Sequence, residues 1–92
     1  MLTIKRTKQF KRDFRRILQQ GYNVAELLDV IEKLANNENL LEKYHDHELK
    51  GKLKNFRECH IKPDWLLIYQ KNEHELILTL FRTGSHSDLF SQ

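Results

Sequence analysis

Four histidines stand beside arginines and carboxylates in short polar segments between residues 45 and 86. Imidazole can give or take a proton near neutral pH, and guanidinium can hold a phosphate group at two of its oxygens. The combination predicts chemistry on a phosphodiester. The segments are His45-Asp46-His47, Arg57-Glu58-Cys59-His60, Pro63-Asp64-Trp65 and Arg82-Thr83-Gly84-Ser85-His86.

His60 lies in a segment with the composition of a β-strand, where successive side chains point to opposite faces. Cys59 and Ile61 suit a face covered by helices, so His60 and Glu58 are predicted to share the open face. Asp64, across the following turn, can orient a nearby imidazole or act as a base. Since a lone strand histidine is more often structural, the prediction for His60 depends on these neighbours.

His86 follows Arg82 by four residues, at the end of the last predicted strand. Loops at the ends of rigid strands often carry active-site residues. A C-terminal tail is usually loose, but Leu89 and Phe90 offer apolar anchors for this one. We therefore predict that His86 is ordered and functional.

A zinc site is the competing use of these residues. His45 and His47 with His60 or Cys59 make a possible ligand set, but Cys59 and His60 point to opposite faces of a regular strand. The paired spacing of structural zinc ligands is missing from the sequence. We predict no metal and no other cofactor. His47 carries a weaker signal than His60, and His45 and His74 read as ordinary surface residues.

A strand and two helices open the chain. Alternating apolar and polar residues over 2–6 predict the strand. Thr7 is the predicted cap of a helix that ends at Gly21, and Asn23 is the predicted cap of a second helix. The polar cluster 36–39 ends the second helix. Each helix carries an apolar stripe that needs a sheet to cover it.

Three strands follow, over 56–61, 65–70 and 76–81. The turns between them are too short for crossover helices, so the strands should form an antiparallel meander. The opening strand is placed at the sheet edge beside the last strand. The predicted fold is α+β, with the N-terminal strand and two helices packed on one face of a small, mainly antiparallel four-stranded sheet. Residues 1–92 are predicted to form a single domain.

Size and composition exclude several classes of protein. A chain of 92 residues with 39% hydrophobic content has room for one core, because it buries only about 60 to 65% of its unfolded surface. The single Cys59 cannot form an internal disulfide, and no apolar run approaches the roughly 20 residues that span a bilayer. We expect a cytoplasmic protein without membrane contact. The net charge of +3 favours a polyanion or an acidic protein as partner.

The polar segments resemble the YafQ branch of the RelE/ParE toxin superfamily. The resemblance covers about residues 44 to 90, while the first 40 residues agree only in pattern. Several separate positions agree in order and spacing, which is more specific than a lone short motif. They are Asp46-His47-x-Leu49-x-Gly51, Phe56-Arg57-x-Cys59-His60-x-x-Pro63-Asp64-Trp65 and Arg82-Thr83-Gly84-Ser85-His86-x-x-Leu89-Phe90.

The resemblance implies a toxin of a type II toxin–antitoxin pair that cleaves messenger RNA on the ribosome. The implied partners are a cognate antitoxin, the ribosome and its message, with operator DNA bound only through the antitoxin complex. At position 58 this chain has glutamate where a relative has aspartate. The carboxylate is kept but its reach differs, so Glu58 is given only a supporting role. The resemblance implies functional roles for His47, His60, Asp64, Arg82, His86 and Phe90.

The predicted reaction is metal-independent cleavage, in which the ribose 2′-hydroxyl attacks the adjacent phosphorus. It needs a base, positive charge at the phosphate and an acid for the departing 5′-oxygen. His86 is assigned as the acid and Arg82 as the phosphate clamp. The base is left open among His47, His60 and Asp64.

Substrate contacts are predicted at two further places. Phe90 and Trp65 can stack on a splayed RNA base, although a core position explains Trp65 equally well. The first helix concentrates positive charge, with seven lysines and arginines against Asp13 in residues 1–20. This basic face is predicted to dock on ribosomal RNA. Its residues are Lys11, Arg12, Arg15 and Arg16.

Two alternative functions stay open. A gyrase inhibitor of the ParE type would share the fold, but the histidines argue against it. A noncatalytic RNA-binding module would use the basic helix and would tolerate loss of His86.

Overall fold

The computed structural model describes residues 1–90 of the chain. Two short 3₁₀ turns, Glu42–Tyr44 and Gly51–Leu53, flank the second strand. The regular elements are β1 (Thr3–Arg6), α1 (Lys8–Gln19), α2 (Ala25–Ala35), β2 (His47–Glu48), β3 (Arg57–Lys62), β4 (Trp65–Asn72), β5 (Ile77–Gly84) and α3 (His86–Phe90).

The strands form one five-stranded sheet in the order β1-β5-β4-β3-β2. β1 runs parallel to β5, and the other neighbours pair antiparallel. The predicted meander and the place of the opening strand beside the last one are confirmed. The predicted strand count of four is wrong, because His47 and Glu48 pair with β3 as a fifth strand. Two residues in a polar stretch are too few to show an alternation.

Both long helices begin near the predicted caps. The Thr7 hydroxyl accepts a hydrogen bond from the Phe10 N–H at 2.9 Å, which satisfies a free donor of the first turn of α1. The Asn23 side chain accepts one from the Ala25 N–H at 3.1 Å. Gly21 adopts φ +81° just after α1, where a residue without Cβ is least strained.

The core lies between the two long helices and one face of the sheet. Cys59 is fully buried there, and burial raises the pKa of its thiol, so it is no nucleophile. Trp65 is 4% exposed and donates from Nε1 to the Thr83 hydroxyl at 3.0 Å. The larger core side chains are Phe10, Ile17, Leu27, Val30, Ile31 and Leu34 from the helices, and Ile61, Leu67, Tyr69, Leu78 and Leu80 from the sheet.

A third helix, α3, follows the last strand, where we expected a segment anchored only by apolar residues. Ser85 and Asp88 bond reciprocally across its first turn. The Ser85 hydroxyl accepts from the Asp88 N–H at 3.1 Å, and the Asp88 carboxylate accepts from the Ser85 N–H at 3.3 Å. Ser-x-x-Asp is the sequence signal for such a capping box. None of the helices within residues 1–90 has the length and apolar character to cross a bilayer.

Candidate active site

The candidate site lies at the end of the sheet where β3 meets the β3–β4 turn and β5 gives way to α3. His60 pairs with Leu66 on β4, and Leu66 pairs with Gly84 on β5. The three residues therefore form one row across the sheet. Asp64 in the turn and His86 at the start of α3 flank this row.

The imidazoles gather around His60. Its ring centre lies 5.7 Å from that of His86 and 6.2 Å from that of His47. The three histidines predicted for the site thus lie together. His45, which we predicted to be an ordinary surface residue, joins them with its ring centre 5.7 Å from that of His60. The sequence carries no signal for this contact, because it depends on the turn before β2.

Asp64 holds His86 in place. His86 Nδ1 lies 2.6 Å from Asp64 Oδ1, and the His86 backbone N–H donates to the same oxygen at 3.0 Å. The backbone and side-chain hydrogen bonds from His86 lower the pKa of Asp64. The carboxylate is therefore ionised at neutral pH and is a weak base. With the Nδ1 of His86 directed at Asp64, its Nε2 lies outside this contact.

Glu58 joins two of the histidines. It is 7% exposed, and its Oε1 lies 3.2 Å from His60 Nε2 and 3.7 Å from His47 Nε2. The pairing of His47 with Glu58 across β2 and β3 brings the second imidazole into reach. Glu58 and His60 share a face as predicted, and Cys59 lies in the core on the other.

The same residues form a donor set for a metal ion. One ligand atom each from Glu58, His60 and His86 lie within 4.8 Å of one another. A carboxylate with two imidazoles suits zinc or another divalent transition metal. This set differs from the one considered from sequence, because it contains Glu58 and His86 and leaves out Cys59.

Arg82 is paired with an acid of α1. Its Nε donates to Asp13 Oδ2 and its Nη2 to Asp13 Oδ1, both at 2.9 Å. Asp13 is fully buried and also accepts from Arg16 Nη1 at 2.9 Å and from the Thr83 N–H at 3.2 Å. Burial alone would raise the pKa of Asp13, but these hydrogen bonds outweigh it and lower the pKa. Of the guanidinium nitrogens of Arg82, Nη1 lies outside the pair.

These bonds complete the edge of the sheet. β1 pairs with β5 only as far as Leu80, and an extra residue, Phe81, bulges from β5 between its pairings with β4. Beyond the bulge, Asp13 accepts from the Thr83 N–H and Arg16 Nη2 donates to the Thr83 carbonyl at 3.0 Å. The side chains of α1 thus replace a neighbouring strand along the segment that leads to His86.

The remaining predicted contact residues lie in different surroundings. Trp65 belongs to the core, so we do not retain it for stacking on RNA. Phe90, at the end of α3, is 44% exposed and available. Arg16 is half-buried in the contacts to Asp13 and Thr83 and differs from the exposed remainder of the basic face. That remainder consists of Lys11, Arg12 and Arg15.

Comparisons with known proteins agree with the predicted family. A family model described as the bacterial toxin of type II toxin–antitoxin systems, YafQ, matches residues 2–91. The mRNA interferase toxin YafQ of Escherichia coli strain K12 is 34% identical over 83 residues, which cover 89% of this chain and 88% of that protein.

Solved structures show the same likeness. A metal-bound toxin from Helicobacter pylori is 49% identical with a TM-score of 0.92, over 98% of this chain and 100% of that one. A chain of the E. coli DinJ–YafQ complex is 32% identical with a TM-score of 0.90, over 98% of this chain and 99% of that one. The predicted family and the predicted class of toxin are confirmed. The chain belongs to the YafQ family of bacterial toxins of type II toxin–antitoxin systems.

Proposed function

We propose that this toxin is a ribosome-dependent endoribonuclease that cuts messenger RNA by acid–base catalysis without a metal. Its E. coli relative is an mRNA interferase. The observation that carries the proposal is the gathering of His47 and His86 around His60, with a carboxylate beside each end of the group. In such a cluster the distance between a proton donor and a proton acceptor is no larger than one nucleotide, so both can act on the same phosphodiester.

The reaction begins when a base removes the proton of the ribose 2′-hydroxyl. The 2′-oxygen then bonds to the adjacent phosphorus as the bond from phosphorus to the 5′-oxygen breaks. His60 and His47 are the candidates for the base, and Glu58 contacts both rings. Asp64 is a poorer candidate, because its Oδ1 already accepts two hydrogen bonds and its pKa is lowered by them.

His86 supplies the proton that the departing 5′-oxygen takes. Asp64 at Nδ1 fixes the ring and stabilises its positive charge, while Nε2 remains for the substrate. The acid and the base then lie on opposite sides of the scissile phosphate. The products are a 2′,3′-cyclic phosphate on one fragment and a 5′-hydroxyl on the other.

Arg82 contributes positive charge to the transition state. Two of its five N–H donors bind Asp13, and the donors that remain on Nη1 and Nη2 face away from that carboxylate and bind phosphate oxygens. The ion pair fixes the guanidinium before the substrate arrives, which lowers the cost of reorganisation.

Two surfaces complete the contact with the ribosome and its message. The exposed Phe90 ring, on the same short helix as His86, stacks on a base of the message. Lys11, Arg12 and Arg15 on α1 dock on ribosomal RNA through its phosphates.

A cognate antitoxin completes the system. The E. coli relative is found in a toxin–antitoxin complex with DinJ. By this likeness we propose that an antitoxin binds and inhibits the present chain, and that operator DNA is contacted only through their complex.

Mapping of message ends in a translating extract tests the proposal. Wild-type toxin should produce new message ends within coding sequences. His86→Gln should produce none, although it should still fold and still bind the antitoxin. His74→Gln is the matched control, because His74 lies in the β4–β5 turn, at the far end of β4 from Trp65. Intact messages with wild-type toxin, or equal cutting by His86→Gln, would overturn the proposal.

A further inference from the structure

A cavity adjoins the imidazole cluster. It has a volume of about 670 Å³ and lies between β3, the first turn of α2 and the 3₁₀ turn Glu42–Tyr44. His45, His47 and His60 line one part of it, and Lys43 and Lys62 line another. Ligand sites of about 300 to 1,000 Å³ hold molecules of nucleotide size.

The cavity shares His47 and His60 with the proposed catalytic cluster. An RNA strand whose scissile phosphate lies among these rings has to continue past them on both sides. On the side away from His86, the strand enters this cavity. The cavity therefore lies where the neighbouring nucleotide of the message would bind.

His45 has the features of a stacking residue. Its backbone is left-handed, with φ +47°, a conformation that a residue other than glycine adopts at a few special positions. His47 Nδ1 lies 2.6 Å from the His45 carbonyl oxygen, which ties the turn to β2. The His45 ring is exposed and tilted by 65° to the ring of His60. Histidine rings of this kind stack on unpaired RNA bases.

The charge of the cavity suits a phosphate. Lys62 Nζ lies 2.7 Å from Glu26 Oε1, and the Tyr44 hydroxyl donates to Glu26 Oε2 at 3.3 Å. Lys43 Nζ lies 5.0 Å from the centre of the Tyr44 ring. Two lysines face one carboxylate, so the balance is positive, and Glu26 also holds Lys62 in position. Lysines in such a groove follow an RNA backbone.

We propose that this cavity is a subsite for the nucleotide next to the cut, with its base on His45 and its phosphate near Lys43. The inference rests on the proposed ribonuclease activity. His45 binds the substrate and influences which base is preferred next to the cut. Lys43 binds the backbone and does not discriminate between bases.

Cleavage in a translating extract, with sequencing of the ends, tests the subsite. His45→Asn removes the ring and keeps a residue that tolerates the left-handed backbone. Cutting should fall by about 5- to 100-fold, with a changed preference at the neighbouring nucleotide. Lys43→Gln should weaken cutting at all sites alike and reduce its salt dependence. His74→Asn is the control and should match the wild type.

The outcomes separate the two proposals. If the wild type cuts and His45→Asn cuts with the same efficiency and the same neighbouring base, the subsite is refuted and the ribonuclease stands. If the wild type produces no ends, both proposals fail. Far-ultraviolet circular dichroism and thermal unfolding of His45→Asn confirm that a loss of cutting does not come from unfolding.

Discussion

The Asp13 carboxylate binds the Arg82 guanidinium side by side, with Oδ2 and Oδ1 each 2.9 Å from a guanidinium nitrogen. The two residues lie 69 positions apart in the sequence. Asp13 is fully buried at the place where β5 loses its neighbour β1. The pair joins the basic helix α1 to the segment that carries His86.

Asp13→Asn should destabilise the protein strongly, because it leaves two guanidinium groups facing a neutral, buried amide. Loss of one partner of a buried pair costs about 3 to 5 kcal/mol. Urea unfolding at neutral pH measures the change. Asp29→Asn is the control, since Asp29 forms an exposed pair with Lys33 at 3.1 Å on α2 and its loss should cost far less. Equal costs for the two variants would contradict the role given to Asp13.

The contribution of Asp13 should depend on pH in acid. The folded protein lowers the pKa of this carboxyl below its ordinary value of 3.8. The unfolded chain therefore binds the proton first as pH falls, and the stabilisation is lost on the way down through the folded pKa. The gap in unfolding free energy between wild type and Asp13→Asn should be constant above about pH 5 and shrink below about pH 4. A gap that is unchanged down to about pH 2 would exclude this linkage.

Gly84→Ala should loosen the junction between β5 and α3. Gly84 has φ +152°, and a Cβ there would lie 2.5 Å from Arg16 Nη2 and 3.3 Å from Asp88 Cβ. Arg16 would have to give up its bond to the Thr83 carbonyl, at a cost of about 1 to 3 kcal/mol. Thermal unfolding tests this against Gly51→Ala, where φ is +70° and, apart from the two chain neighbours, no other residue of 1–90 has an atom within 4 Å of the added carbon. Gly84→Ala should cost more stability than Gly51→Ala, and only Gly84→Ala should lose RNA cutting.

Asp64→Asn should slow cutting and leave antitoxin binding intact. The amide can still accept the backbone N–H of His86, but it no longer stabilises the charge on the ring. We expect a loss of at least about 10-fold, smaller than the loss of about 10²- to 10⁴-fold for a missing general acid. Single-turnover rates on ribosome-bound message give the comparison. An unchanged rate would show that Asp64 does not position the acid.

Sequence patterns were sufficient to predict a contact where it is local or follows from the alternation of side chains along a strand. Alternation along β3 suffices to place His60 with Glu58 and to bury Cys59. The pair of Asp13 and Arg82 is beyond such reasoning, because a single acid in a basic helix reads as an ordinary surface residue. The contact of His45 with His60 depends on one left-handed residue, which no periodicity records.

The same limit explains the fifth strand, whereas the start of the third helix has a local signal in the sequence. β2 has only two residues, and its existence depends on the pairing of His47 with Glu58. α3 has five residues, and the Ser-x-x-Asp capping box in which Ser85 and Asp88 exchange bonds is a local pattern of the sequence. A helix of only five residues still depends on tertiary contacts for its stability, here the bonds of His86 to Asp64.

The most direct test of the central claim replaces the bridging 5′-oxygen at the cut with sulfur, which departs without a proton. On the natural message, His86→Gln should be about 10²- to 10⁴-fold slower than the wild type. On the sulfur-substituted message, the two proteins should cut at similar rates. If His86→Gln is equally slow on both messages, His86 is not the acid, and the account of the site is wrong.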